Sequence, residues 1–83
     1  MNQEQLLERI TVNQKVLVGK PTIRGMRISV EQVLAALASG VSEQELLKDY
    51  PVLEPDDIRA VLLYASKVVA SERVYRVDVP VPA

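Results

Sequence analysis

The chain has 83 residues, 48% of them hydrophobic, which is enough for one small domain with a packed core and little spare stability. It contains no cysteine and no histidine, which excludes disulfides, thiolate or imidazole metal ligands and the commonest catalytic bases. The net charge of −1 combines a basic segment over residues 9–30, with five cations and no acid, and an acidic segment over residues 31–57, with seven acids and one cation.

The N-terminus, MNQEQLLERI, lacks the basic region and the continuous apolar stretch of a signal peptide. The longest apolar runs, VLAALA and AVLLYA, are too short to cross a bilayer. We therefore expect a cytoplasmic protein without a membrane segment.

The first predicted element is a small β element. ITVNQKVLV, from Ile10, alternates β-branched and polar residues around Asn13 and Gln14, which predicts a short strand, a turn and a second extended stretch. A further strand is predicted at residues 27–29, because Gly25 can adopt a positive φ and reverse the chain before it.

Three helices follow. Ser29 is the predicted N-cap of the first, which ends at Gly40. Ser42 and Glu45 form a capping box for a short second helix that ends before Pro51. The third helix begins at the sequence EPDD and runs to about residue 72. Its predicted buried stripe consists of Ile58, Val61, Leu62, Ala65, Val68 and Val69.

Leu63 and Tyr64 make this third helix apolar on more than one side, which favours a homodimer interface there. From residue 73 onward, apolar and polar residues alternate towards two prolines, which predicts an extended amphipathic tail. The tail either pairs with the N-terminal strands or binds a partner by strand addition.

The glycines around Lys20 do not form a phosphate loop, because Gln14 and Pro21 replace the required glycine and hydroxyl residue. The clustered acids sit at helix starts and are most simply caps, so no enzyme, metal site or cofactor is predicted.

The second and third helices have the proportions of a helix-turn-helix. Its third helix, however, leads with Asp56 and Asp57, which would face DNA phosphates unfavourably. The predicted DNA contacts are therefore cations, mostly from the basic segment: Lys20, Arg24, Arg27 and Arg59. For Arg24 and Arg27 a structural role, in pairing with helix acids or turn carbonyls, is an equal alternative.

Residues 9–66 contain an R-I opening, the pattern G-K-P-x-I-x-G-x-R-I, a helix ending in glycine, Y-P-x-L, and a helix that begins D-I and ends Y-A. These 58 residues resemble the bacterial family called domain of unknown function 433. This chain departs from the family's pattern at Val18, where relatives often have glycine, and at Met26, where they have threonine.

The resemblance implies a mainly α fold with a small N-terminal β element, in the form of a three-helix, homeodomain-like or winged helix-turn-helix domain over residues 1–72, followed by the tail over residues 73–83. It also implies the antitoxin of a type II toxin–antitoxin pair, which neutralises a PIN-like ribonuclease toxin and binds its own operator DNA as a homodimer. The tail residues expected to contact the toxin are Arg73, Tyr75, Arg76, Val77 and Val79. Two alternatives remain open: a DNA-binding regulator without a toxin, and a dimeric protein-interaction module that does not bind DNA.

Overall fold

The computed structural model describes residues 1–71, so the predicted tail and its five toxin-contact residues lie outside the described part. The described chain is mainly helical, with four α-helices and a two-stranded antiparallel sheet. The helices are α1 (Gln3–Leu7), α2 (Val30–Ala38), α3 (Glu43–Asp49) and α4 (Pro55–Ser71), and the strands are β1 (Ile10–Val12) and β2 (Pro21–Ile23).

Helix α1 was not predicted. Asn2 caps it by accepting a hydrogen bond from the Gln5 backbone N–H at 2.8 Å, and the Gln5 side chain accepts one from the Asn2 backbone N–H at 3.1 Å. This reciprocal capping box stabilises the N-terminus of a helix of only five residues, in which Leu6 is buried. Helix α1 packs mainly against α4, so the N-terminus closes over the long helix.

The prediction of a strand at residues 27–29 is wrong, because this segment is not a strand of the sheet. Strand β1 pairs instead with β2, in a register that places Ile10 opposite Ile23 and Thr11 opposite Thr22. The segment after it contributes one isolated bridge between Thr22 and Ser29, because Ser29 already begins α2 as its N-cap. Two three-residue strands are therefore the whole sheet in residues 1–71.

The connection between the strands also differs from the predicted second extended stretch. After the turn at Asn13, residues Leu17–Gly19 form a single 3-10 turn in which three consecutive residues have positive φ. Val18 has a φ of 55° and is 86% exposed to solvent. A β-branched residue in this left-handed region is a true backbone outlier, so the turn carries local strain.

The caps of the first two predicted helices are as expected. Ser29 accepts a hydrogen bond from the Gln32 backbone N–H, and Ser42 and Glu45 form their capping box. Gly40 follows α2 with φ 99°, a conformation that L-residues rarely adopt. The prediction of α2, α3 and the start of α4 from local signals is confirmed.

The core lies where β2, the following turn and the inner faces of α2, α3 and α4 meet. Its fully packed side chains are Ile23, Ile28, Val30, Val33, Leu46, Leu53, Ile58 and Val61. The predicted buried stripe of α4 is wrong at Leu62, Val68 and Val69. Leu62 is 50% and Val69 70% exposed, because residues 1–71 supply no layer over these side chains. None of the helices in residues 1–71 combines the length and apolarity needed to cross a membrane.

Candidate functional site

A buried carboxylate joins the sheet to α4. Asp57, in the first turn of α4, is fully buried and accepts hydrogen bonds from two arginines that precede and follow the sheet. Arg9 donates from Nη1 to Oδ1 at 2.9 Å, and Arg24 donates from Nε to Oδ1 at 3.0 Å and from Nη2 to Oδ2 at 2.8 Å. We call Arg9, Arg24, Glu54 and Asp57 the arginine–carboxylate cluster.

The Asp57 carboxylate is saturated with donors. Its fourth hydrogen bond comes from the Glu54 backbone N–H, which lies 2.8 Å from Oδ2, so each oxygen accepts two bonds. Burial raises the pKa of Asp57, but the bonds from Arg24, from the Glu54 backbone and from Arg9 outweigh it and hold that pKa below the ordinary aspartate value. Asp57 is therefore a structural anion, without the raised pKa or the vacant lone pair that a general base needs.

The local backbone geometry positions the guanidinium groups of Arg9 and Arg24 against Asp57. Arg24 has φ 48° and Gly25 has φ 71°, so the chain reverses sharply after β2. The Arg24 backbone N–H donates to the Arg9 carbonyl oxygen at 2.7 Å, and the Arg24 Nη2 also donates to the Val52 carbonyl oxygen at 2.7 Å. Arg9 reaches Glu54 as well, with Nη1 at 2.7 Å from Oε1.

The structure separates the four cations that were predicted to contact DNA. Arg24 belongs to the arginine–carboxylate cluster, which supports its alternative, structural role. Lys20 pairs with Glu31 at the surface, with Nζ 3.2 Å from Oε2. Arg27 and Arg59 are exposed and form no ion pair with any other described residue. The four side chains thus do not form one uncompensated basic patch.

A second candidate site is an apolar groove between α2 and the second half of α4, with a volume of about 510 Å³. One wall is formed by α2 and the other by α4, and Pro21 closes one side. Among the lining residues that belong to residues 1–71, Glu31 is the one charged residue, and the others are alanine, valine, leucine, proline and tyrosine. We call this feature the α2–α4 groove.

A further apolar strip on α4 borders the α2–α4 groove. Leu62 and Val69 are seven residues apart, which places them on one helix face two turns from each other, and Val69 also lines the groove. Leu63 and Tyr64, predicted at a homodimer interface, are both half-buried, and Tyr64 packs against the core and lines the groove. We call Leu62 and Val69 the α4 outer strip.

No group of three or more metal-ligating side chains comes together within residues 1–71. Sequence reasoning also missed Arg9 as part of a site, although it is the arginine of the R-I opening. Its partner lies 48 residues away, and no local pattern indicates a pairing over that distance.

Comparisons with known proteins agree with the sequence pattern. The model of the family described as "Protein of unknown function (DUF433)" matches residues 10–65, more than half of the chain. The chain is also 36% identical over 58 residues to "Uncharacterized protein y4eO" of Sinorhizobium fredii (strain NBRC 101917 / NGR234), a match that covers 70% of this chain and 26% of that protein. The matched region is thus about a quarter of that curated relative's length. No solved structure matches the chain significantly.

Proposed function

This chain belongs to the DUF433 family, and we propose that it is a non-enzymatic antitoxin that binds and silences a PIN-like ribonuclease toxin. The observation that carries the proposal is the set of apolar side chains left exposed on α4 from Leu62 onward, above all the α4 outer strip. Exposed apolar side chains aligned on one helix face are typical of a protein–protein interface. The sequence resemblance supplies the class of partner.

The proposal includes a homodimer built on α4. Two copies of one helix face can pack against each other about a twofold axis, so that each residue of the face contacts its counterpart or a neighbour. Leu63 and Tyr64 are half-buried beside the outer strip, where a second helix would complete their burial. A small domain gains stability from such a contact, and the gain rises with the logarithm of the protein concentration.

The testing experiment is co-expression of the chain with the product of the neighbouring gene, followed by size-exclusion chromatography with light scattering and an RNA-cleavage assay. The informative variant is Leu62→Glu combined with Val69→Glu. The matched control is Val52→Glu, since Val52 is 59% exposed in the α3–α4 loop and does not lie on α4.

We expect the wild-type chain and the control to co-purify with the toxin and to suppress RNA cleavage. The double variant should keep its circular dichroism spectrum but lose the complex, because a charge at each end of the strip cannot be desolvated cheaply. A chain truncated after residue 72 should also keep its fold and fail to neutralise, as the tail prediction requires. Undiminished cleavage with the wild-type chain present would refute the antitoxin function.

Operator binding by a winged or homeodomain-like helix-turn-helix is the second candidate. The order α3, loop, α4 supports it, as do the exposed guanidinium groups of Arg27 and Arg59. Against it, Asp56 and Glu54 keep the start of α4 acidic, while the charge of Asp57 is compensated by its arginines. If DNA is bound, Arg59→Gln should weaken binding to an upstream fragment and reduce the logarithmic salt slope by about 1. Arg24→Lys should instead alter folding stability.

A further inference from the structure

We infer that the α2–α4 groove is the binding site for this chain's own C-terminal segment, residues 72–83. The inference concerns a free chain and needs no toxin, so it stands or falls separately from the antitoxin proposal. It assigns an occupant to the groove, which is lined by apolar side chains of α2 and α4 that nothing in residues 1–71 covers.

The first support is position. Val68 and Val69 line the groove, and the described part of α4 reaches Ser71, two residues after Val69. Residues 72–83 are therefore tethered close to the groove's lining. A tether this short gives the segment an effective local concentration of the order of millimolar, well above that of a second copy in a dilute solution.

The second support is length. Helix α2 has nine residues and is about 13 Å long, at 1.5 Å per residue. About four extended residues cover that distance at 3.3 Å each. The twelve residues of the segment therefore suffice to reverse direction and to lie along the whole groove.

The third support is chemistry. In an extended chain, alternate side chains point to one face, and here Tyr75, Val77 and Val79 would share it. This face matches the apolar lining. Arg73 precedes this run. Among the described lining residues Glu31 is the one acid; its Oε2 lies 3.2 Å from the Nζ of Lys20, and its side chain is 72% exposed. Its second carboxylate oxygen, Oε1, offers Arg73 a partner at the rim.

The absence of native cysteine allows a direct test by disulfide trapping in the full chain. The groove pair is Ala35→Cys with Val77→Cys, since Ala35 lines the groove and is exposed enough to be replaced without disturbing the core. The control pair is Lys67→Cys with Val77→Cys. Lys67 is exposed on α4, does not line the groove and is nearer in sequence to the tail, so an unattached tail would favour the control.

Under mild oxidation the groove pair should form a monomeric disulfide about tenfold faster than the control pair, because binding raises the effective concentration at the groove. Adding Tyr75→Ser and Val79→Ser should reduce the groove rate to the control rate, since these changes remove the apolar contacts but keep the tether. Unchanged circular dichroism of each reduced variant shows that the fold is intact.

Equal rates for the groove and control pairs would overturn the inference. A disulfide-linked dimer in place of the monomeric product would overturn it in favour of a second copy's tail. If the tail also contacts a toxin, as proposed above, the groove competes with that toxin, and adding toxin should slow groove trapping. That last result depends on the proposed function, whereas the trapping itself does not.

Discussion

Replacing Asp57 with asparagine tests whether the arginine–carboxylate cluster holds the sheet on α4. The carboxylate accepts four hydrogen bonds, three of them from guanidinium groups. Asparagine keeps one carbonyl oxygen and turns an amide N–H₂ towards donors, so at least two of these bonds are lost. Bonds to charged groups contribute about 1.5–3 kcal/mol each, which gives a lower limit of about 3 kcal/mol.

We take that lower limit, because the Arg24 side chain is 37% exposed and water can solvate it once its partner is gone. A loss of about 3 kcal/mol is a large part of the stability of a small domain, which begins at about 5 kcal/mol. Urea unfolding followed by circular dichroism measures it. The control is Asp56→Asn, one residue earlier in the same helical turn, which loses only a helix-dipole interaction of below about 1 kcal/mol. Equal losses in the two variants would refute the role of the cluster.

The same variant has a pH signature. The pKa of Asp57 is lowered in the folded chain, so the unfolded chain binds a proton more readily. The stability that Asp57 contributes is therefore fully present above the ordinary aspartate pKa of about 3.9 and is lost as the pH falls towards the folded value. The difference in unfolding free energy between the wild type and Asp57→Asn should shrink below about pH 4. A difference that stayed constant to pH 3 would contradict the lowered pKa.

Three further changes test local features by urea unfolding. Val18→Gly should stabilise the fold by about 0.5–1 kcal/mol, since it relieves a left-handed valine and removes little packing; destabilisation would contradict the strain. Ser42→Ala should cost about 1 kcal/mol through the lost capping box, whereas Ser66→Ala, inside α4, should cost less than half of that. Leu46→Ala should cost about 3 kcal/mol, because Leu46 is buried in the core; a loss below 1 kcal/mol would refute that packing.

Features that depend on neighbours within four residues were predictable from the sequence. Ser29 and Ser42 mark the starts of their helices because each side chain accepts a hydrogen bond from a backbone N–H of the first turn. Pro55 marks the start of α4 because proline has no backbone N–H and is tolerated at the first helical position. The capping box of α1 carries the same kind of signal, in Asn2 and Gln5, and was missed because only five helical residues follow it.

Features that depend on distant parts of the chain were not predictable in this way. The sequence predicts a strand at residues 27–29, whereas β1 pairs with Pro21–Ile23, and no local pattern distinguishes the two segments as partners. The exposed second half of α4 follows from the lack of a covering layer, which periodicity within one helix does not reveal. The roles predicted for the tail, for the DNA-contact cations and for the dimer residues stay predictions.

The long-range clamp between Arg9 and Asp57 also determines how the domain unfolds. Two strands of three residues have almost no stability as an isolated hairpin. In this domain the hairpin is bound to α4 by the hydrogen bonds of Arg9 and Arg24 to Asp57, which join residues 48 and 33 positions apart. The sheet therefore belongs to the same cooperative unit as the long helix, and backbone amides such as that of Ile23 should exchange with deuterium only when α4 opens as well. Because these contacts join residues so distant along the chain, we expect docking of the sheet to be slower than formation of any single helix.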